Sequence, residues 1–281
     1  TQWFVLRAAT YFFVWLLLAF VLRRWSHEND QTGALAPMRR ARAVSALGLV
    51  LYILTMTLAA VDWILSRDAH WFSTVIGLMI VIGQAASGLC LLILMVTLLS
   101  VREPLADAVR PAHFIDLGNL LLTLVILWAY VSFSQFLVIW MGNLKDDVSW
   151  YTQRGLGAPA NGWRWIALLL IVFHFFVPFL LLLSRNKKRH ARTLAMIAGG
   201  VLLMRALDVY WMIAPGVVDP AHHPGATHVS WLDPVALVGV GGVWMALFLW
   251  QLQNRPLLAR FRAGAEELTG HGNTTAGTTV A

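Results

Sequence analysis

The sequence predicts an all-α protein, a polytopic bundle of transmembrane helices with seven spans. Composition is the first reason. Of 281 residues, 59% are hydrophobic and 12% charged, with a positive mean hydropathy, outside the range of soluble globular chains. Run length is the second. Seven apolar stretches, at about 4–22, 44–65, 74–100, 115–142, 164–184, 192–213 and 232–252, each reach the ~20 residues that a helix needs to cross ~30 Å of hydrocarbon. A spanning β-barrel would show short alternating segments instead of these continuous runs. The expected organisation is a transmembrane domain over residues 1–255 and a polar cytoplasmic tail, disordered, over 256–281.

The net charge of +7 is distributed by side. Arg23, Arg24, Arg39, Arg40 and Arg42 follow the first span. Arg102 and Arg110 follow the third, Arg185, Lys187, Lys188, Arg189 and Arg192 the fifth, and Arg255, Arg260 and Arg262 the seventh. These 15 residues share one side, against Arg67, Lys145, Arg154 and Arg164 on the other. The positive-inside rule places the richer side in the cytoplasm, with the N-terminus outside and the C-terminus inside. The basic balance thus expresses topology and contact with anionic headgroups, not nucleic-acid binding. The chain opens at Thr1 and enters lipid within a few residues, so the expectation is that upstream sequence is missing, an odd number of helices if the true N-terminus is cytoplasmic.

Span 1 closes at Arg23–Arg24, and a polar hairpin, S-H-E-N-D-Q-T-G, leads to the basic start of span 2. Span 2 ends at Asp62–Trp63, and a short loop, S-R-D-A-H-W-F-S-T, turns into span 3. Span 3 carries Gly77, Gly83, Ala85, Ala86, Ser87 and Gly88, small residues that allow close helix approach; Gly239, Gly241 and Gly242 do the same in span 7. Tryptophans crowd the outer boundary: Trp3, Trp63, Trp71, Trp140, Trp150, Trp163, Trp165, Trp211 and Trp231, against Trp25 and Trp250 inside. An interfacial belt and a partner docked on the outer face both account for this excess.

Span 4 carries a polar stripe. At ~100° per residue, Asp116, Asn119, Thr123, Tyr130 and Ser134 fall within an arc of about 60°, and at 1.5 Å per residue they extend about 27 Å. Such a stripe can line a file of waters, or its members can hydrogen-bond neighbouring helices as packing contacts. His174, Arg205 and Asp208 lie inside other apolar runs, where ionisable groups survive only when they face protein or a watery cavity. Arg205 and Asp208 are spaced i, i+3 and can pair. Span 2 brings Asp62 and span 4 brings Gln135 to a similar outer depth. His174 precedes Pro178 by four residues, and the missing proline N–H leaves a carbonyl free and can kink the helix. On this reading Asp116 and Asn119 serve an inner mouth of a proton route, His174 and Tyr130 its middle, and Arg205, Asp208 and Asp62 its outer end.

The single Cys90 excludes disulfides and iron–sulfur ligation within this chain. Only His174 of nine histidines is at mid-span, so the chain alone cannot ligate a b-type haem through two facing histidines. His70, His113, His190, His222, His223 and His228 lie at interfaces or in loops, and the His222–His223–His228 group lacks the framework of a metal site. No metal and no bound cofactor is expected in the chain.

Four stretches read together: D-W-I-L-S-R-D-A-H-W-F-S-T at 62–74, H-F-I-D-L-G-N-L-L at 113–121, W-A-Y-V-S-F-S-Q-F-L-V-I-W-M-G-N-L at 128–144, and F-H-F-F-V-P-F-L-L-L-L-S-R at 173–185. They resemble the F subunit of bacterial alternative complex III, a polysulfide-reductase-type membrane subunit described as quinone-binding subunit 2. The likeness runs to about residue 255. The resemblance implies about ten helices in the family, of which this chain is similar to the last seven. It implies a place in a quinol:cytochrome c (or other acceptor) oxidoreductase of the bacterial inner membrane. Partner subunits there hold iron–sulfur clusters and c haems, a second polysulfide-reductase-type subunit is the stronger quinol site, and a terminal oxidase can associate. It also implies a structural and proton-conducting role for this subunit, with Asp62, Asp116, Asn119, Tyr130, Gln135, His174 and Asp208 as the matching positions. Two alternatives stand beside it. One is a quinol-binding catalytic subunit using His174 with Asp208 or Asp116 as base. The other is a standalone secondary transporter, against which stands the lack of a clear repeat with paired broken helices.

Overall fold

A computed structural model describes residues 2–33, 35–68, 71–103, 105–156, 162–217 and 230–253. The expected tail at 256–281 and the histidines His70, His222, His223 and His228 lie outside them. Among the described residues all regular structure is helical, and seven helices are long and apolar enough to cross a membrane. They are α1 (Gln2–Thr32), α2 (Leu35–Trp63), α3 (Ile76–Leu99), α4 (Pro111–Gly142), α5 (Trp163–Leu183), α6 (Ala191–Ile213) and α7 (Leu232–Gln253). Short helices at Leu105–Ala108, Lys145–Gln153 and Arg185–Arg189 occupy the connections. The chain is a multi-pass membrane protein.

The described residues divide into two compact units, one running to Thr55 and the other over Met56–Gln253. In the first, α1 and the adjoining part of α2 pair closely. The Trp15 indole N–H donates to Thr55 Oγ1 at 2.9 Å, and a Cβ on Gly48 would stand 3.0 Å from a Leu18 methyl, so the glycine sets the approach. The expected polar hairpin at 26–33 is instead the last turns of α1. The helix runs to Thr32 and stops at Gly33, which takes φ 64° and donates its N–H to Asn29 O at 2.9 Å. A left-handed glycine after the last turn satisfies an orphan carbonyl at no steric cost, so polarity did not end the helix; the glycine did.

In the second unit α3, α4, α5 and α6 form a four-helix bundle. Its core is Leu89, Cys90 and Ile93 from α3, Phe114, Leu121 and Val125 from α4, Leu182 from α5, and Leu194, Ile197, Ala198 and Val201 from α6. α6 packs most extensively on α3, and α3 on α4. Gly77 of α3 receives the Thr57 side chain where a Cβ would be, as its small size allows. α7 contributes no buried residue; it is tied to α6 where Tyr210 Oη donates to Asp233 Oδ2 at 2.9 Å.

α5 is not a plain α-helix. Leu170–Phe176 is π-helical, and the N–H of Val177 is bonded to Val172 O, five residues back. The widened turn precedes Pro178 and relieves the conflict between its ring and an i→i−4 ladder, in place of the simple free carbonyl and kink expected from sequence. It also sets the face. Leu170, His174, Pro178 and Leu182 are all buried at a spacing of four, which in a regular α-helix would drift ~40° per step away from the bundle.

The bundle has two chemically distinct ends. One carries the 100–110 and 184–190 connections and is basic. The other carries the 64–75 and 143–162 connections and is aromatic.

Candidate functional site

The buried polar centre lies toward the aromatic end of the bundle and draws two groups from α6 and one each from α4 and α5, while α3 makes room for them. One turn of α6 sets Arg205 above Asp208, and the Arg205 guanidinium donates to Asp208 Oδ2. The same oxygen accepts the Trp128 indole N–H from α4 at 3.0 Å. Trp128 then meets His174 of α5 edge-to-face, with ring centroids 4.2 Å apart and planes at 80°. From α3, Gly83 leaves the space that the Arg205 guanidinium fills. Arg205, Asp208 and His174 are 5%, 3% and 2% exposed.

The geometry explains how charge is tolerated here. The ion pair is neutral as a unit, and the indole supplies a further donor to the carboxylate. Desolvation nevertheless offsets much of the attraction in such a buried pair, so its presence is weak evidence for stability and points elsewhere for its purpose. His174 Nδ1 and Ser132 Oγ are buried with no hydrogen-bond partner among the described residues. Ser132 lies one turn beyond Trp128 on α4, and Gln135, 5% exposed, lies a turn further on the same buried side. Most buried polar atoms are bonded to protein or to ordered water, so each of these two has room for a further hydrogen bond.

Of the residues expected from sequence, His174, Gln135, Arg205 and Asp208 are buried in the bundle. The stripe of α4 is not. Asp116, Thr123 and Tyr130 are exposed, Tyr130 to 67%, Ser134 is half-buried, and the buried face of α4 is Phe114, Gly118, Leu121, Val125, Trp128, Val131, Gln135 and Ile139. At 100° per residue the two faces are centred about 165° apart. Tyr130 therefore faces away from His174, and the ring that meets His174 is Trp128. The periodicity identified a stripe correctly but carried no information on which way it turns. Thr123 Oγ1 donates to Asn119 O at 3.0 Å, within its own helix. Asp62 is half-buried one residue before the end of α2, and its carbonyl accepts Ser66 Oγ at 2.6 Å.

Two cations that sequence reasoning counted only as loop charges are built into the ends of the bundle. Arg154, 2% exposed, follows the Lys145–Gln153 helix at the aromatic end. Its guanidinium lies 3.5 Å from the Trp150 ring centroid and donates to Trp150 O at 2.8 Å and to Met212 O of α6 at 2.7 Å. Trp71 stacks on Trp150 at 4.3 Å, and Trp211 meets Trp150 edge-on at 5.6 Å. Several of the outer tryptophans thus form an interior cap and are not a lipid belt. Burial draws the Arg154 guanidinium down to about 9, with Asp68 and Tyr151 opposing that shift, and burial pushes the Tyr151 phenol up. At the basic end Lys188, 6% exposed, crosses Gly118 and donates to Asn119 Oδ1 at 2.5 Å. A Cβ on Gly118 would stand 2.7 Å from Lys188 Cγ.

A narrow cleft of about 290 Å³ lies between α5 and α6, lined by Phe173, Val177, Pro178, Met196 and Met204 among others, with Thr193 its one hydroxyl side chain. Neither His174 nor Asp208 lines this cleft.

No protein-family model matches the chain, and no curated protein matches it.

Proposed function

We propose that the chain is an integral membrane subunit of a quinol:cytochrome c, or other acceptor, oxidoreductase of the alternative complex III type, with a structural and proton-conducting role. The observation that carries the proton-conducting part is the Arg205–Asp208–Trp128–His174 centre, in which three ionisable groups are buried around one indole by three helices, with an unpartnered ring nitrogen at His174 among the described residues. The resemblance of the four sequence stretches supports the class of complex. The outward stripe of α4 supports the subunit role. A carboxyl, a phenol and hydroxyls spread over about 27 Å at lipid depth are costly unless another chain covers them. The reading assigns quinol oxidation, iron–sulfur clusters and c haems to partner subunits, as the resemblance implies.

In this reading the basic end faces the cytoplasm of a bacterial inner membrane, the N-terminus is outside and the C-terminus inside. Asp208 and His174 then sit in the outer half and at the centre of the membrane. The test is to tag the protein, extract native membranes gently and identify what co-purifies. Recovery with multihaem c-type and iron–sulfur subunits, followed by loss of proton coupling in His174→Gln with electron transfer retained, is expected. Recovery of a lone chain that transports a solute in proteoliposomes would overturn the reading in favour of a transporter.

A further inference from the structure

We propose that the basic end of the bundle holds a specific site for the phosphate headgroup of an anionic phospholipid, between the start of α4 and the Arg185–Arg189 helix. A cleft of about 660 Å³ opens there, within the ~300–1,000 Å³ range of small-ligand sites. Arg110, Arg185 and Arg189 line it from two separate segments, together with Asn186 and the apolar Ile115. No carboxylate lines it. Among the described residues none of the three arginines has a carboxylate partner, so three permanent positive charges face one concavity without internal neutralisation. Arginine offers planar paired donors that match phosphate oxygens.

Position selects a lipid over a soluble anion. The cleft lies where α5 ends and α4 begins, at the level where a spanning helix leaves hydrocarbon. The α5 residues just before it, Leu180 and Leu183, are 62% and 55% exposed, an apolar surface for acyl chains beside the arginines. Basic pockets between transmembrane helices are a recurrent form of headgroup recognition. Lys188, in the middle of the same short helix, is turned away and committed to Asn119. That bond fixes the Arg185–Arg189 helix against α4 and holds the two walls of the cleft together. The inference depends on the chain spanning a membrane, not on the kind of complex it serves.

The test uses the full chain, tagged and gently extracted with whatever partners accompany it, and quantifies the co-purifying phospholipids by mass spectrometry. Arg185→Gln/Arg189→Gln is compared with a control on the same edge but outside the cleft, Lys187→Gln/Arg192→Gln. Retention of phosphatidylglycerol or another anionic lipid should fall about fivefold for each cleft arginine removed, and hold in the control. After delipidation, phosphatidylglycerol vesicles should restore thermal stability to the wild type and not to the cleft variant, with phosphatidylcholine vesicles inert. Equal anionic-lipid retention by both variants overturns the proposal, as does equal rescue by phosphatidylcholine. Rescue by inorganic phosphate alone, matching that of the lipid, would also overturn it and leave a soluble-anion site.

Discussion

The guanidinium of Arg205 occupies the space that a Cβ on Gly83 would take. A glycine in α3 and an arginine in α6 are thus one packing unit. The absence of a side chain on one helix makes room for the buried charge of the other, and Asp208 is placed a turn away to receive it.

Gly83→Ala should therefore act on the ion pair. The added methyl forces the guanidinium off Asp208, an overpacking change that costs about 1–3 kcal/mol in thermal or denaturant unfolding in mild detergent. Introduced into Arg205→Met, whose flexible side chain can yield, the same methyl should cost less than half as much. Equal costs in both backgrounds would show that the two residues do not share the space.

Asp208→Asn keeps the shape and an acceptor for Trp128 but strands a buried cation. Breaking such a pair from one side should cost about 3–5 kcal/mol, and Arg205→Met/Asp208→Leu, which removes both charges, should recover most of it. A stability assay comparing the wild type with Asp208→Asn and with the double variant decides the point. Proton coupling should be lost in the double variant even where stability returns.

Arg154→Met should loosen the aromatic end. The substitution leaves the carbonyls of Trp150 and Met212 without their donor and removes the cation over the Trp150 ring, a loss of roughly 2–4 kcal/mol from charge-assisted bonds and ring contact together. Tryptophan emission reports it, since Trp71, Trp150 and Trp211 share this cap: a red shift is expected. Arg154→Lys should not rescue, because one ammonium cannot replace a fork that reaches two carbonyls while lying over a ring.

At the basic end, Gly118→Ala should displace Lys188 and break its bond to Asn119. The expected loss is about 1–2 kcal/mol, and it should not add to that of Asn119→Leu, which removes the same bond from the other partner. Full additivity in unfolding experiments would mean the lysine stem adjusts without losing its partner.

The sequence alone determined the seven membrane-spanning helices, because a continuous apolar run of ~20 residues has few other ways to satisfy its backbone in lipid. It showed that Arg205 and Asp208 share a helix face and can pair, and it marked His174 as facing protein or a cavity by its depth. The rotation of α4 was decided only by tertiary packing. Asp116, Thr123 and Tyr130 lie on a coherent stripe whichever way the helix turns, and in a membrane protein the lipid face is as apolar as the core, so hydrophobicity does not say which side is inside. The fit of Phe114, Gly118, Leu121, Val125 and Trp128 against α3, α5 and α6 chose that side. The same holds for Arg154, Lys188, Trp128 and Gly83, whose roles rest on partners many residues distant. For α5 the run is apolar on every side, so the sequence marked Pro178 but not the π-helical turn before it or the burial of Leu170, His174, Pro178 and Leu182.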